Sequence, residues 1–309
     1  MFDIATLHAV YKEVAPLSAD LPMPDRWKLA GEGLWGQVYD LGDGSMLKLV
    51  RRQGGLGNGE ALHHREVSAL TFLSGMRSAY MRIPQFLGGE TFNNPYIGSA
   101  PPMAGWLRIE TLSGTRLTVD RALTMPAQTR QILGERIGAA IADFNNEATK
   151  LALAADIKLA DTITRSLALA RAQLGSPELH RAADLIGAAW EVARARGPLV
   201  FVHGDINLGN LVDHGEKEPL GLVDFAESGW SLAATEFRHF EPLGALRDAA
   251  FRGFATREGA PPDLGDYYLA SAANALMTIA ITGNAGHPRD QMRRSGLLRH
   301  CLHEAGLEL

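Results

Sequence analysis

Strand patterns occupy only two parts of this chain, and their placement limits the folds open to it. Short extended segments with glycine turns make up most of residues 27–112, interrupted by helical spacing at residues 59–75, and extended segments return only at about residues 199–225. Most of the sequence beyond residue 118 has helical spacing. This order predicts an α+β protein with a small β-rich lobe over residues 1–112 and a larger, mainly helical lobe over residues 113–309.

The composition is typical of a globular protein of this size. The 309 residues suffice for a core in each lobe, and 46% hydrophobic with 21% charged residues is an ordinary balance. A net charge of −5 without a long basic run argues against nucleic-acid binding, which needs clustered Lys and Arg. The single cysteine, Cys301, excludes an internal disulfide and a cysteine-based zinc site.

The same features set an expectation for localisation and partners. A chain with one cysteine is suited to a reducing cytoplasm. Charges interrupt the apolar stretch of residues 1–14, and no apolar run approaches the roughly 20 residues of a membrane span. We therefore expect a cytoplasmic protein with neither a membrane nor an obligate protein partner.

A glycine-rich motif in the predicted small lobe points to phosphate binding. Gly31, Gly33, Gly36 and Val38 match the pattern G-x-G-x-x-G-x-V. A dinucleotide-binding turn must open a helix, but here an extended segment, an Asp-Gly hairpin and another strand follow. The context favours a glycine-rich hairpin over a nucleotide, where backbone N–H groups can approach phosphate. The alternative is a glycine-rich surface turn.

A lysine lies one hairpin beyond these glycines. Lys48 stands inside an apolar strand, where an ammonium group without a partner is costly. It is predicted to point under the glycine hairpin, with Glu66 on the next helix as the first candidate for its partner and Glu60 as the second. The alternative is an edge-strand lysine that faces solvent.

The second strand region carries several polar residues at close spacing. A strand before His203 leads into a loop with Asp205 and Asn210, and a hairpin then brings Asp224 to its far end. Asn210 and Asp224 would lie near each other and offer the oxygen ligands that Mg²⁺ prefers, while Asp205 could accept a proton from a hydroxyl. The alternative is that all three residues only cap loops and turns. His203 is predicted to be a structural hydrogen-bonding residue.

The pattern His-Gly-Asp-x-x-x-x-Asn followed by Val-Asp-Phe resembles the catalytic loop and metal-binding segment of the aminoglycoside phosphotransferase and choline kinase family. These are small-molecule kinases with a protein-kinase-like fold, and the resemblance extends over about residues 25–250. It implies a bilobal protein whose N-terminal lobe binds the nucleotide and whose C-terminal lobe holds the catalytic loop and the acceptor site.

The resemblance also implies roles for individual residues. Asp205 would be the catalytic base, Asn210 and Asp224 the Mg²⁺ ligands, and Lys48 the partner of the α- and β-phosphates and of Glu66. Residues 107–114 would form the hinge whose backbone meets the adenine, which adds two further residues to the nucleotide site, Glu110 and Leu112. The implied cofactors are ATP, or alternatively GTP, and Mg²⁺. The implied acceptor is a hydroxyl of an aminoglycoside-, amino alcohol- or sugar-like small molecule.

The chain departs from this family at several positions. Glu227 follows the metal-binding Asp and is a candidate for a second metal ligand or an acceptor-site acid. Glu236 stands where the family has an Asp, and its longer side chain leaves open how the catalytic loop is braced. Asn207 occupies a position where many members have His, and the sequence assigns it no role.

Two other functions are compatible with the same motifs. One is a catalytically inactive nucleotide-binding regulator of this fold, and the other is a protein kinase. Protein kinases carry His-Arg-Asp and a later Ala-Pro-Glu, whereas this chain has Gly204 in the middle of the first motif and lacks the second. His63 and His64 are predicted to lie on a solvated helix face.

Overall fold

The computed structural model describes residues 2–54, 57–282 and 288–309. Contacts divide the chain into two compact units. Unit 1 comprises Met1–Ser74 and Ile83–Ser113, and unit 2 comprises Gly75–Arg82 and Gly114–Leu309. No helix among the described residues is both long enough and apolar enough to cross a bilayer.

The strands are, in chain order, β1 (Lys28–Gly33), β2 (Gly36–Asp40), β3 (Ser45–Arg51), β4 (Gln53–Gly54), β5 (Gly57–Asn58), β6 (Met81–Arg82), β7 (Phe86–Thr91), β8 (Met103–Glu110), β9 (Thr115–Arg116), β10 (Val200–Val202), β11 (Leu211–Asp213), β12 (Leu220–Leu222) and β13 (Gly229–Ser231).

The helices are α1 (Ile4–Val14), α2 (Gly59–Leu73), α3 (Val119–Thr124), α4 (Ala127–Ala154), α5 (Thr162–Arg171), α6 (Pro177–Arg196), α7 (Ala245–Glu258), α8 (Leu264–Thr282) and α9 (Pro288–Glu304). Short 3₁₀ turns lie at Pro24–Arg26, Leu208–Asn210, Phe225–Glu227, Ala233–Phe237 and Glu241–Leu243.

Unit 1 is built on an antiparallel sheet of five strands in the order β1-β2-β3-β8-β7. Successive side chains of β3 point to opposite faces of this sheet, as they do in any strand with one buried face. Leu47 and Leu49 are fully buried in a core that includes Val10 of α1, whereas Lys48 points to the opposite face. Helix α2 packs against β3, β7 and β8, so Lys48 shares its face of the sheet with a helix.

Unit 2 is mainly helical, and glycines let its longest helix approach a neighbour closely. A Cβ on Gly138 of α4 would lie 1.8 Å from the carbonyl oxygen of Ala250 in α7. A Cβ on Gly253 of α7 would lie 2.0 Å from the carbonyl oxygen of Glu135. Any larger residue at either position would push the two helices apart, so this pair of helices depends on glycine for its packing.

Two small sheets in unit 2 position the polar loop. Strands β10 and β13 form one antiparallel pair, and β6-β12-β11-β9 form the other sheet. Strands β11 and β12 pair with Leu211 opposite Leu222. The loop that starts at His203 therefore runs from the end of β10 into the start of this hairpin.

The α+β class predicted from the sequence is confirmed, with a small antiparallel sheet and a mostly helical remainder. The prediction for His63 is wrong. Its side chain is 1% exposed because it points from α2 toward the sheet, where Nε2 lies 3.0 Å from the carbonyl oxygen of Glu90. Burial lowers the pKa of His63 to about 4, so the ring is neutral at physiological pH.

Candidate active site

The loop of residues 203–210 is held by a backbone conformation that requires glycine. Gly204 has φ of +79°, in the left-handed region that other residues adopt at a cost. A Cβ at this position would also lie 2.5 Å from the carbonyl oxygen of Glu227. Both constraints favour Gly between His203 and Asp205, where protein kinases carry Arg.

Glu236 braces the start of this loop from a fully buried position. Its Oε1 accepts a hydrogen bond from the backbone N–H of His203 at 2.7 Å, and its Oε2 accepts one from Gly204 at 2.9 Å. Burial raises the pKa of Glu236 to about 7 despite these two bonds, which favour the carboxylate. The longer side chain at this position therefore still contacts the loop backbone.

His203 is a structural residue of the loop, in agreement with the sequence prediction. Its Nδ1 accepts a hydrogen bond from the backbone N–H of Asp205 at 3.2 Å, so Nε2 carries the proton and donates to the carbonyl oxygen of Val223 at 3.1 Å. Burial lowers the pKa of His203, which keeps the ring neutral. The His203 ring thus links the carbonyl group of Val223, the residue before Asp224, to the backbone N–H of Asp205.

The Asp205 carboxylate is surrounded by donors. Oδ2 accepts hydrogen bonds from the amide nitrogens of Asn207 at 3.2 Å and Asn210 at 3.0 Å. Oδ1 lies 2.7 Å from Nε2 of His239 and 3.7 Å from a guanidinium nitrogen of Arg238. Burial alone would raise the pKa of Asp205, but the hydrogen bond from His239 and the nearby charge of Arg238 outweigh it and hold the pKa below its usual range.

Sequence reasoning missed Arg238 and His239. They follow Glu236 within the segment Phe-Arg-His-Phe, where two basic residues between two phenylalanines were the available signal. This segment begins at the last residue of the 3₁₀ turn Ala233–Phe237, and the turn directs Glu236 and the following His239 to the same loop. Asn207, to which the sequence assigned no role, donates to the Asp205 carboxylate.

The β11–β12 hairpin brings the backbones of Asn210 and Asp224 to the same end. The backbone N–H of Val223, next to Asp224, donates to the carbonyl oxygen of Asn210 at 3.0 Å. Asp224 itself has φ of +71° and ψ of 73°, a left-handed conformation that is uncommon for a residue other than glycine. Such a conformation often marks a functional position, since the surrounding structure must hold it.

Carboxylate and amide oxygens such as those in this region are the ligands that hard cations prefer, and such cations usually also keep bound water or phosphate. The Asn210 amide turns its nitrogen toward Asp205, so its oxygen is the atom it can offer to a metal. Among the described residues no cluster of three or more His, Cys, Asp or Glu side chains is arranged for a metal ion. A Mg²⁺ ion held by one or two protein oxygens together with water and phosphate does not need such a cluster.

Glu227 contacts a cation of the chain itself. Its Oε2 accepts a hydrogen bond from a guanidinium nitrogen of Arg165 in α5 at 2.5 Å, and both side chains are largely buried. The Thr162 hydroxyl, at the start of the same helix, donates to the Glu227 carbonyl oxygen at 2.8 Å. These contacts fix the segment after Asp224 to α5.

In unit 1 the structure brings together the lysine and the acid that the sequence paired. Nζ of Lys48 lies 2.8 Å from Oε2 of Glu66 in α2, with 16% and 3% of the two side chains exposed. A lysine so placed presents its charge on one face of the sheet and is held there by a buried carboxylate. It is not a solvent-facing edge residue.

The glycine motif forms the hairpin between β1 and β2. Gly33 pairs with Gly36 at its tip, and Gly31 pairs with Val38. A Cβ on Gly36 would lie 2.0 Å from the carbonyl oxygen of Leu49, so the sheet itself requires glycine there. A Cβ on Gly31 or Gly33 would meet no heavy atom within 4 Å, so chain packing does not explain these two glycines.

The predicted hinge begins where β8 ends. The backbone N–H of Glu110 donates to the carbonyl oxygen of Gln85 at 2.9 Å, and the next N–H, of Thr111, donates to the carbonyl oxygen of Gly44 at 2.8 Å. The Glu110 carboxylate in turn accepts a hydrogen bond from the backbone N–H of Gln85 at 3.2 Å. Leu112 follows as a half-buried residue.

Comparison with known proteins identifies a family and a shared fold. A model of the phosphotransferase enzyme family matches residues 26–261, which is most of the chain. A search of curated proteins finds no significant match.

Solved structures share the fold at low sequence identity. The GDP complex of wild-type aminoglycoside 2'-phosphotransferase-IIIa has 14% identity and a TM-score of 0.65, with 96% of this chain and 98% of that chain covered. The streptomycin–ATP–APH(2")-IIa ternary complex has 12% identity and a TM-score of 0.62, with 99% of each chain covered. The apoenzyme of the macrolide 2'-phosphotransferase MphH from Brachybacterium faecium has 17% identity and a TM-score of 0.56, with 95% and 97% covered.

Proposed function

We propose that this chain, which belongs to the phosphotransferase enzyme family, transfers the γ-phosphoryl group of a nucleoside triphosphate to a hydroxyl group of a small molecule. The observation that carries this proposal is the loop of unit 2. There Asp205 is held as a carboxylate by Asn207, Asn210 and His239, and the same loop leads into the hairpin that ends at Asp224.

In the proposed reaction Asp205 receives the proton of the acceptor hydroxyl. The acceptor oxygen forms a bond to the γ-phosphorus as its proton passes to a carboxylate oxygen of Asp205. The bond from that phosphorus to the β–γ bridging oxygen breaks, and the nucleoside diphosphate leaves with the electron pair. A carboxylate with a low pKa is a weak base, so its main contribution is to orient the hydroxyl.

Asn210 and Asp224 are proposed to hold Mg²⁺ on the phosphates. The orientation of the Asn210 amide and the position of Asp224 at the end of the paired hairpin support this role. When bound, the metal neutralises charge on the phosphate oxygens. Glu227 is a weaker candidate for a second metal ligand or an acceptor-site acid, because its carboxylate already pairs with Arg165.

Unit 1 is proposed to bind the nucleotide. Lys48, oriented by Glu66, would contact the α- and β-phosphates, and the hairpin of Gly31, Gly33, Gly36 and Val38 would cover them. Gly31 and Gly33 support this role, because the space beside them is open and the absence of side chains would let a ligand approach their backbone closely. The backbone from Glu110 to Leu112 would contact the base. ATP is the proposed donor and GTP the alternative.

The acceptor is proposed to be an aminoglycoside-, amino alcohol- or sugar-like hydroxyl compound. The names of the structural relatives support this class, since they include aminoglycoside and macrolide phosphotransferases. Gly204, in place of the arginine through which protein kinases respond to activation-loop phosphate, supports an enzyme that needs no activating phosphorylation.

A coupled assay of nucleoside diphosphate release tests the proposal. Unphosphorylated recombinant protein is supplied with ATP or GTP, Mg²⁺ and, one at a time, aminoglycosides, macrolides, amino alcohols and sugars. We expect acceptor-dependent release with at least one compound and none from Asp205→Asn. Binding of ATP without turnover toward any acceptor would instead identify an inactive nucleotide-binding regulator.

A further inference from the structure

His239 lies against the proposed catalytic carboxylate from outside the catalytic loop. Its Nε2 is 2.7 Å from Oδ1 of Asp205, and the two side chains are 23% and 24% exposed. It follows the 3₁₀ turn that carries Glu236, the residue that braces the loop backbone. The same short segment therefore supports the loop backbone and contacts the Asp205 side chain.

A residue of α8 holds the other side of the His239 ring. The side-chain nitrogen of Asn274 lies 3.3 Å from His239 Nδ1. With Nδ1 as the acceptor, the proton is on Nε2, and the ring can donate to the carboxylate. The Nε–H of Arg238 is directed at the same Nε2 atom from 3.3 Å, but a protonated Nε2 cannot accept it, and the carboxylate of Asp205 is closer at 2.7 Å; Arg238 therefore acts beside this contact as a fixed positive charge.

The two oxygens of Asp205 consequently have different surroundings. Oδ2 faces the amides of Asn207 and Asn210, which belong to the loop itself. Oδ1 faces His239, whose position depends on a separate segment and on α8. Without His239, Oδ1 would lose its nearest donor and keep only the more distant Arg238 guanidinium at 3.7 Å, so the rotation of the carboxylate about its Cβ–Cγ bond would be less closely defined.

We propose that His239, oriented by Asn274, is a positioning residue that fixes the Asp205 carboxylate for the acceptor hydroxyl. This inference rests on the proposed function. His239 takes no proton in the reaction, and its effect passes through Asp205. It acts on the transition state, where the hydroxyl must meet a carboxylate oxygen in line with the γ-phosphorus.

Substitutions at His239 separate this role from simple packing. Glutamine places an amide nitrogen near the position of Nε2, whereas asparagine reaches only the position of Nδ1. We expect His239→Asn and His239→Ala to lower kcat about tenfold to a hundredfold, as the loss of an orienting contact does. His239→Gln should restore most of kcat, and the affinity for ATP and Mg²⁺ should stay within about twofold in all three variants.

A second histidine offers a matched control. His300 in α9 makes a similar contact, with Nε2 3.0 Å from a carboxylate oxygen of Glu241, but it belongs to a cluster without Asp205. His300→Asn should leave kcat unchanged. The melting temperature of each variant, measured alongside kcat, shows whether a loss of rate reflects a loss of folding.

The outcomes distinguish this inference from the proposed function. A wild-type protein that phosphorylates an acceptor, with His239→Asn equally fast or faster, overturns the role of His239 alone. A His239→Gln variant as slow as His239→Asn at an unchanged melting temperature also overturns it, because the donor at Nε2 would then be irrelevant. A wild-type protein that transfers phosphate to no acceptor overturns both.

Discussion

The carboxylate of Glu236 accepts a hydrogen bond from the backbone N–H of Gly204 at 2.9 Å and is fully buried. Its other oxygen accepts from the backbone N–H of His203. One side chain thus satisfies two successive N–H groups that would otherwise lie buried without an acceptor. The loop of residues 203–210 therefore depends on Glu236 for its conformation as well as its stability.

Replacement of Glu236 by alanine should destabilise the protein. The two N–H groups would lose their acceptor, and each unsatisfied buried group costs about 1–3 kcal/mol, so the free energy of unfolding should fall by about 3 kcal/mol. Denaturant unfolding of the whole protein, monitored with a probe that reports on the loop of residues 203–210, measures this loss. Glu216→Ala, at an exposed glutamate of the β11–β12 turn, should change the free energy by less than about 0.5 kcal/mol.

The ionisation of Glu236 should also appear in the pH dependence of stability. Its pKa is raised from 4.5 to about 7 in the folded protein, so the folded state binds a proton more tightly than the unfolded state. The stabilisation from this proton is complete below pH 4.5 and is lost as the pH rises toward about 7. Relative to Glu236→Gln, the wild type should lose stability across this range. An equal slope in both proteins would mean that Glu236 does not titrate there.

Asp205→Asn should abolish transfer and leave nucleotide affinity nearly intact. In the proposed reaction the carboxylate acts on the acceptor hydroxyl in the transition state, and loss of such a group lowers the rate by about a hundredfold to ten-thousandfold. Steady-state kinetics with the best acceptor and calorimetric titration with ATP and Mg²⁺ give the two quantities. A loss of only a few-fold in kcat would remove Asp205 from this role.

Lys48→Ala should weaken ATP binding or lower the rate. The variant loses the proposed charged partner of the phosphates and leaves the Glu66 carboxylate, 3% exposed, without this lysine. Titration with ATP in the presence and absence of Mg²⁺ measures the effect on affinity. Lys28→Ala, at an exposed position of β1 in the same sheet, is the control and should bind as the wild type does. Equal affinity in wild type and Lys48→Ala, with an equal rate, would make Lys48 a structural residue only.

Two glycines of the same hairpin should respond differently to alanine. Gly36→Ala should lower the melting temperature, because its Cβ would overlap the carbonyl oxygen of Leu49. Gly33→Ala should leave the melting temperature unchanged, since its Cβ meets no atom of the chain, and should weaken nucleotide binding. Thermal unfolding with and without ATP separates the two effects. Wild-type affinity in Gly33→Ala would argue that the hairpin does not cover phosphate.

The features that the sequence predicted correctly are local. The glycine hairpin and the β11–β12 hairpin each lie within about one turn and its flanking strands, so alternation and turn residues determine them. The pairing of Lys48 with Glu66 could be predicted because an apolar strand makes an unpaired lysine costly and the next helix offers few acids.

The features that the sequence did not predict depend on contacts between distant segments. His239 meets Asp205 because a 3₁₀ turn, with no clear hydrophobic period, directs the chain back to the loop. Glu227 pairs with Arg165, from a helix 62 residues earlier. His63 is buried because strands β7 and β8, later in the chain, cover its helix face. Tertiary packing determines each of these contacts, and periodicity within one segment does not reveal it.

The most direct test of the proposed function is mass spectrometry of the acceptor after incubation with ATP, Mg²⁺ and the unphosphorylated protein. The proposed function predicts that at least one small hydroxyl compound gains a single phosphoryl group in the presence of the wild type and none in the presence of Asp205→Asn. Robust phosphorylation of generic peptides, with every small hydroxyl compound unchanged, would contradict it.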